Sequence, residues 1–241
     1  MSTVPSAEGL DGGVLVYPSG APVEARFDRL LAPATVTRGS FGLRSGALGV
    51  FGGVRYDMVR RAVVFTPNPA ELRPGLEYVM VATPAIRGWD GAAQAAELRV
   101  RFRAGPRVPV ASTAAPSLRR EVAPLLASRC GASPCHGGAA PVMALDLSSP
   151  ASIRNTTLGV RSRQWGDGPV TRADPAWGAL DRIDLSVAEA QGRPEYSYLM
   201  YKLIGEGPMV GEVMPPGGAA RLTEAELDLL ARWIAAGAPD N

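Results

Sequence analysis

A chain of 241 residues, 46% hydrophobic and 20% charged, is long enough for one large or two ordinary domains and apolar enough for a real core. Its formal net charge of +2 excludes a polybasic nucleic-acid surface, although the sequence pI of about 8.7 is mildly basic. No apolar run is long enough to span a bilayer, and 28 Gly with 22 Pro favour many turns and short elements over long helices.

Residues 1–13 lack a basic stretch followed by an apolar one, so no signal segment is visible in this chain. From there to about residue 105 the pattern is that of β-structure. Val14-Leu15-Val16-Tyr17 is a short apolar run ended by the turn signal Pro18-Ser19-Gly20. Residues 23–29 alternate, with Val23, Ala25 and Phe27 on one face and Glu24, Arg26 and Asp28 on the other. Further strands are expected at 40–44, 50–56, 62–65, 78–82 and 98–102, the last three separated by turns at Pro67-Asn68-Pro69, Pro74-Gly75 and Asp90-Gly91. About seven short strands punctuated in this way predict an antiparallel sandwich of immunoglobulin type.

Residues 27–36 (Phe27-Asp28-Arg29-Leu30-Leu31-Ala32-Pro33-Ala34-Thr35-Val36) resemble the early segment of the bacterial immunoglobulin-like modules of S-layer and other envelope proteins. Val63-Val64-Phe65-Thr66-Pro67, Leu72-Arg73-Pro74-Gly75-Leu76-Glu77-Tyr78 and Asp90-Gly91 resemble that module's later landmarks, in order. The resemblance implies an Ig-like domain over residues 8–105 that acts as a spacer or adhesive platform, with envelope surface contacts as its partners. Residues 106–116, poor in large apolar side chains, read as a linker.

After the linker the period changes. Ser117 is placed to cap a helix through Arg129, which Pro124 should kink or shorten. A second helix is expected over 195–204. A third opens with the capping box of Thr223 and Glu226, carries the apolar stripe Leu227, Leu230, Ala231 and Ile234, and closes at Gly237 and Pro239. Asp181 and Asp184 have no partner that would make them catalytic and read as solvated. Residues 162–192 have no assignable role.

Both cysteines lie in Cys130-Gly131-Ala132-Ser133-Pro134-Cys135-His136, and the chain's only histidine directly follows the second. Two thiols followed at once by histidine is the logic of covalent haem attachment, here with four residues between the thiols where two are usual. Each thiol adds to one vinyl group, and the imidazole reaches the iron. Met214, in Val213-Met214-Pro215-Pro216, is the first candidate for the opposite axial position, with Met209 as its competitor. Three other readings stay open. The cysteines could form a structural disulfide in a non-redox surface module. They could join His136 in a zinc site one ligand short unless Asp146 or another chain completes it. Without Met214 or Met209 on the iron, the chain would be a haem sensor or enzyme with an open distal site.

The order Cys130…Cys135-His136, Leu145-Asp146-Leu147, Asn155-Thr156, Ser197-Tyr198-Leu199, Lys202-Leu203, Met214-Pro215, Leu222-Thr223 and Trp233-Ile234 resembles a c-type cytochrome domain, of the divergent type found in some large-genome bacteria. That resemblance implies a mostly α, cytochrome c-like haem domain over residues 117–241. It also implies one covalently bound haem c on Cys130 and Cys135, axial ligands His136 and Met214, and a haem wall that includes Leu145, Leu147, Tyr198 and Leu199. The expected fold class is two domains, an all-β Ig-like sandwich followed by a mostly α cytochrome c-like domain. The expected function is single-electron carriage by a monohaem protein rather than catalysis, with an unidentified redox partner protein. Since covalent haem attachment is extracytoplasmic chemistry, the expected location is the periplasm, the cell envelope or the exterior.

Overall fold

The computed structural model describes residues 2–5, 15–68, 71–109, 114–162, 180–185 and 191–241. The chain forms two compact units, Met1–Ser112 and Thr113–Asn241.

The first unit is built from β1 (Ser2–Val4), β2 (Val16–Ser19), β3 (Val23–Arg26), β4 (Phe41–Ser45), β5 (Leu48–Gly49), β6 (Gly52–Asp57), β7 (Ala62–Pro67), β8 (Glu77–Ala82) and β9 (Leu98–Arg107). They form two sheets, ordered β1-β3-β7-β6 and β2-β9-β8-β4-β5. Alternation sets the faces of β9: Val100, Phe102 and Ala104 are buried, while Arg99, Arg101 and Arg103 face solvent. Facing pairs such as Val23 with Phe65 and Ala25 with Val63 bury the core side of the other sheet. Tyr78 stacks on Phe102 at 6.0 Å between ring centroids, and Tyr17 meets the same ring edge-on at 5.7 Å.

Two details differ from the sequence reading. The expected turn at Pro18-Ser19 is strand: β2 runs through both residues and turns only at Gly20. It pairs with β9 in parallel, with a register shift between Pro18 and Ser19, so the unit is not purely antiparallel. An edge position and a bulge are where proline, lacking an N–H, is tolerated in a sheet. The strand β1 also lies before the expected domain start at residue 8 and pairs with β3. Three residues, Ser-Thr-Val, carry no period to read.

In the second unit a π-helical turn, Leu118–Val122, leads into α1 (Ala123–Arg129), followed by α2 (Pro150–Thr157), α3 (Tyr198–Ile204) and α4 (Glu224–Ala235). The hydroxyl of Ser117 accepts the Arg120 N–H at the start of the π-turn. Thr223 and Glu226 close a reciprocal capping box on α4. Leu230, Trp233 and Ile234 of α4 are fully buried, and the Trp233 indole N–H donates to the Pro239 carbonyl at 3.1 Å. Among the described residues no helix is long and apolar enough to cross a membrane.

The expected fold class, an Ig-like sandwich followed by a mostly α cytochrome c-like domain, is therefore corrected. Regular structure in the described residues is mostly β-sheet, and the α-helices are short, of 7, 8, 7 and 12 residues. The helix expected over 195–204 begins only at Tyr198, after a 3₁₀ turn at Pro194–Tyr196. The helix expected from Ser117 is α-helical only from Ala123. A left-handed Gly205 ends α3, and the chain between helices is irregular, which the composition foreshadowed and the motif order did not.

Trp233 is the largest fully buried side chain among the described residues. Trp233→Ala is expected to destabilise the protein by about 3–5 kcal/mol, read as a shift in denaturant midpoint at unchanged slope.

Candidate functional site

The cysteine segment begins where α1 ends. The Cys130 N–H donates to the Leu126 carbonyl at 2.8 Å, and the Gly131 N–H to the same carbonyl at 3.0 Å, so the last helical turn runs directly into the loop. The loop then closes on itself: the His136 N–H donates to the Cys130 carbonyl at 3.1 Å. Two later residues tie it down from outside, Val142 N–H to the Cys135 carbonyl at 2.8 Å and Leu147 N–H to the His136 carbonyl at 2.7 Å. Gly131 and Gly137 lie back to back; a Cβ on Gly137 would overlap the Gly131 carbonyl, so no larger residue fits there.

This turn places Cys130 and His136 on the wall of a cleft of about 70 Å³. Met214 lines the same cleft from the other end of the unit's sequence. So do Leu145, Leu147, Tyr198 and Leu199, the four residues read as wall. Cys135 is exposed and is not among the lining residues, and neither is Met209. The two cysteines are not joined in a disulfide.

Two further lining residues are Arg182, which the sequence reading passed over, and Lys202, which entered it only within the cytochrome-like order. Both are buried, each 6% exposed. The Arg182 guanidinium donates to the carbonyls of Met143, of Ala144 at 3.0 Å and of Thr156 at 2.7 Å. Met143 and Ala144 are consecutive non-glycine residues with φ of 58° and 53°. Each such residue costs about 1–2 kcal/mol, and Arg182 offsets this by taking both carbonyls. Lys202 serves the opposite loop. Its ammonium donates to the carbonyls of Val210, at 2.9 Å, and Glu212, and its own carbonyl accepts the Met214 N–H at 2.8 Å. The Tyr198 hydroxyl accepts the Val210 N–H at 3.0 Å. Arg182 falls within residues 162–192, of which 163–179 and 186–190 lie outside the described residues. The reading of Asp184 as solvated is corrected: it is 5% exposed and ion-paired with Arg193. Asp181 pairs with Arg161 at 3.3 Å.

The cleft is electrostatically unfriendly to charge. Burial, with the nearby Cys135 adding to it, pushes the Cys130 thiol up to about 11, against the pull of Arg129. In the metal-free cleft it is a thiol at neutral pH. Burial also lowers the His136 pKa below its ordinary 6.5, against the carbonyls of Val142 and Leu145, so the imidazole is neutral at pH 7. Its Nδ1 is buried without a hydrogen-bond partner. Burial lowers the Lys202 ammonium too, with Glu212 opposing. Among the described residues no group of three or more His, Cys, Asp or Glu side chains comes together to hold a metal ion, so the zinc reading gains no further ligand.

The donor chemistry fits a haem: two thiols on one short loop, a neutral imidazole beside them, a thioether across the cleft and apolar side chains between. The volume does not fit without movement, because pockets for ligands of that size run to about 300–1,000 Å³. A porphyrin would require the walls to separate.

No family model matches the chain, and no curated protein matches it. Among solved structures, three of the bacterial S-layer protein SbsC are similar: rSbsC(31-844), its domains 1-6 and its N-terminal part. Each has a TM-score of 0.32 and 14% identity and covers 41% of this chain. The match spans 14%, 14% and 24% of those chains respectively.

Two outcomes follow from the site's geometry. Arg182→Gln, which strips the carbonyls of Met143 and Ala144 of their donor, is expected to cost about 1–3 kcal/mol of stability, measured by urea denaturation. In haem-free protein, His136 makes stability fall on acidification. The unfolded chain takes up the proton near 6.5, while the folded one takes it only at a lower pH, so the imidazole's contribution is full above 6.5 and shrinks below it. Unfolding free energies at about pH 7.5 and about pH 5.5 should differ less in His136→Gln than in the unsubstituted chain.

Proposed function

We propose that the second unit carries one covalently bound haem c and that the protein moves single electrons in the cell envelope. The observation that carries this reading is convergence: the chain's only histidine, one of its two cysteines, and Met214, 78 positions beyond that histidine, line one cleft whose other walls are Leu145, Leu147, Tyr198 and Leu199.

In this reading Cys130 and Cys135 would hold the haem through thioether bonds, since addition of a thiol S–H across a vinyl C=C consumes no oxidant. Cys135, exposed at the loop's far end, swings inward or meets the macrocycle at the cleft mouth. His136 would supply a neutral imidazole nitrogen to the metal, with the backbone of Val142 and Leu145 beside the ring. Met214 would supply a thioether sulfur. When bound, the haem supplies a one-electron Fe(III)/Fe(II) couple. The apolar walls keep water away and favour the less charged ferrous state, and a thioether ligand does the same. With His136 and Met214 both holding the metal, the site would suit electron carriage rather than substrate turnover, and a redox partner protein is implied. The location follows from the attachment chemistry, which belongs outside the cytoplasm.

The test is expression together with haem-maturation machinery. Intact mass should rise by one haem, survive acid extraction and be lost in Cys130→Ala/Cys135→Ala. The ferric spectrum should show a thioether-to-iron band. Met214→Ala is expected to abolish that band, admit exogenous imidazole and lower the potential by tenths of a volt, within the span of about 0.8 V that axial ligation governs. A band that survives in Met214→Ala and disappears in Met209→Ala would reassign the ligand. A colourless product lighter by two hydrogens would instead establish the Cys130–Cys135 disulfide and a non-redox module.

A further inference from the structure

Resting on that reading, we propose that Lys202 is a positioning residue that clamps the loop bearing Met214 onto α3 and so fixes the sulfur against the cleft. Residues 205–223 contain no helix or strand, and Gly205, Gly207, Gly211, Gly217 and Gly218 all have positive φ, so no regular element within this segment sets where Met214 lies. The setting comes from α3. Tyr198 and Lys202 are four residues apart, on one helical face, and that face both lines the cleft and holds the loop. Lys202 does so at three points: its ammonium takes the carbonyls of Val210 and Glu212, and its backbone carbonyl takes the Met214 N–H at 2.8 Å.

The residue type supports the assignment. Lys202 is the single lysine in a chain with 25 Lys and Arg together, so composition does not explain it. A compact ammonium on a flexible stem donates to two carbonyls on different residues of a tight loop, where a planar guanidinium fork demands its own geometry. At 6% exposure the ammonium is held by those carbonyls rather than by solvent. The carbonyl bonds lie at Val210 and Glu212, on the near side of Met214, and the third is at Met214 itself.

Lys202→Met, of similar length and without donors, is the test, read in two ways. In haem-free protein, amide hydrogen exchange at Val210 and Met214 should quicken by at least about tenfold, with exchange in α4 unchanged. In haem-loaded protein, the thioether-to-iron band should be lost and exogenous imidazole should bind, while haem mass and far-UV circular dichroism match the unsubstituted protein. If Lys202→Met does not fold, Lys202→Gln takes its place, with the same directions expected. Exchange at Met214 within about twofold of the unsubstituted rate, or an intact band in the loaded variant, overturns the clamp. Failure of the unsubstituted protein to gain haem mass overturns the proposed function instead, and the exchange experiment still decides the clamp.

Discussion

A positive charge taken out of water must be solvated by something else, and in the second unit that something is the backbone. Arg182 and Lys202 are both buried at the cleft, and the bonds described for their charged groups run to backbone carbonyls. Without those carbonyls the charge would cost several kcal/mol; without the charge, four carbonyls on two irregular loops, and that of Thr156 at the end of α2, would lose a donor. Each half of the arrangement therefore requires the other. This is how a unit whose α-helices are only 7 to 12 residues long holds a defined site. Helices supply rigid faces, and two cations tie the loops to them: Arg182 the loop beside His136, Lys202 the loop bearing Met214.

The two cations divide the cleft between them. Arg182 stabilises the left-handed pair Met143 and Ala144, whose neighbours Val142 and Leu145 present their carbonyls to the imidazole. Lys202 and Tyr198 act from one helical face on the opposite wall. Neither cation neutralises the site, since Cys130 and His136 are both held in their uncharged forms by burial. The result is a cleft lined with soft, neutral donors and positive charge set just behind them.

The sequence singled out residues that the structure gathers in one cleft more readily than it singled out the fold, and rarity explains why. Histidine occurs once and cysteine twice, so their adjacency at residues 130–136 stands out against any background. Met214 stood out through its prolines. Arg182 did not, because it is one arginine among many and its partners are backbone atoms, which leave no mark on the sequence. Lys202 was visible as the only lysine, but its role depends on a loop conformation that glycines leave open. In the first unit, alternation located strands such as β9, whose arginines and apolar residues separate cleanly. It missed β1, too short for any period, and the continuation of β2 through Pro18, because proline reads as a turn whether it sits in one or on a sheet edge. In the second unit the order of motifs suggested a mostly α domain, whereas the helices are short and the chain between them irregular. The N-terminal signal of α2, Ser149 followed by Pro150, was present and unread.

The loop between the cysteines separates what must be conserved from what need not be. Its ends are joined by the His136 to Cys130 backbone bond and by the contact of Gly131 with Gly137, neither of which involves the residues between. Ala132, Ser133 and Pro134 are all exposed. The gap between the two sulfurs is thus gauged by main-chain contact rather than by counting residues. A loop closed this way can lengthen, shorten or change its outer residues without shifting the ring that follows it.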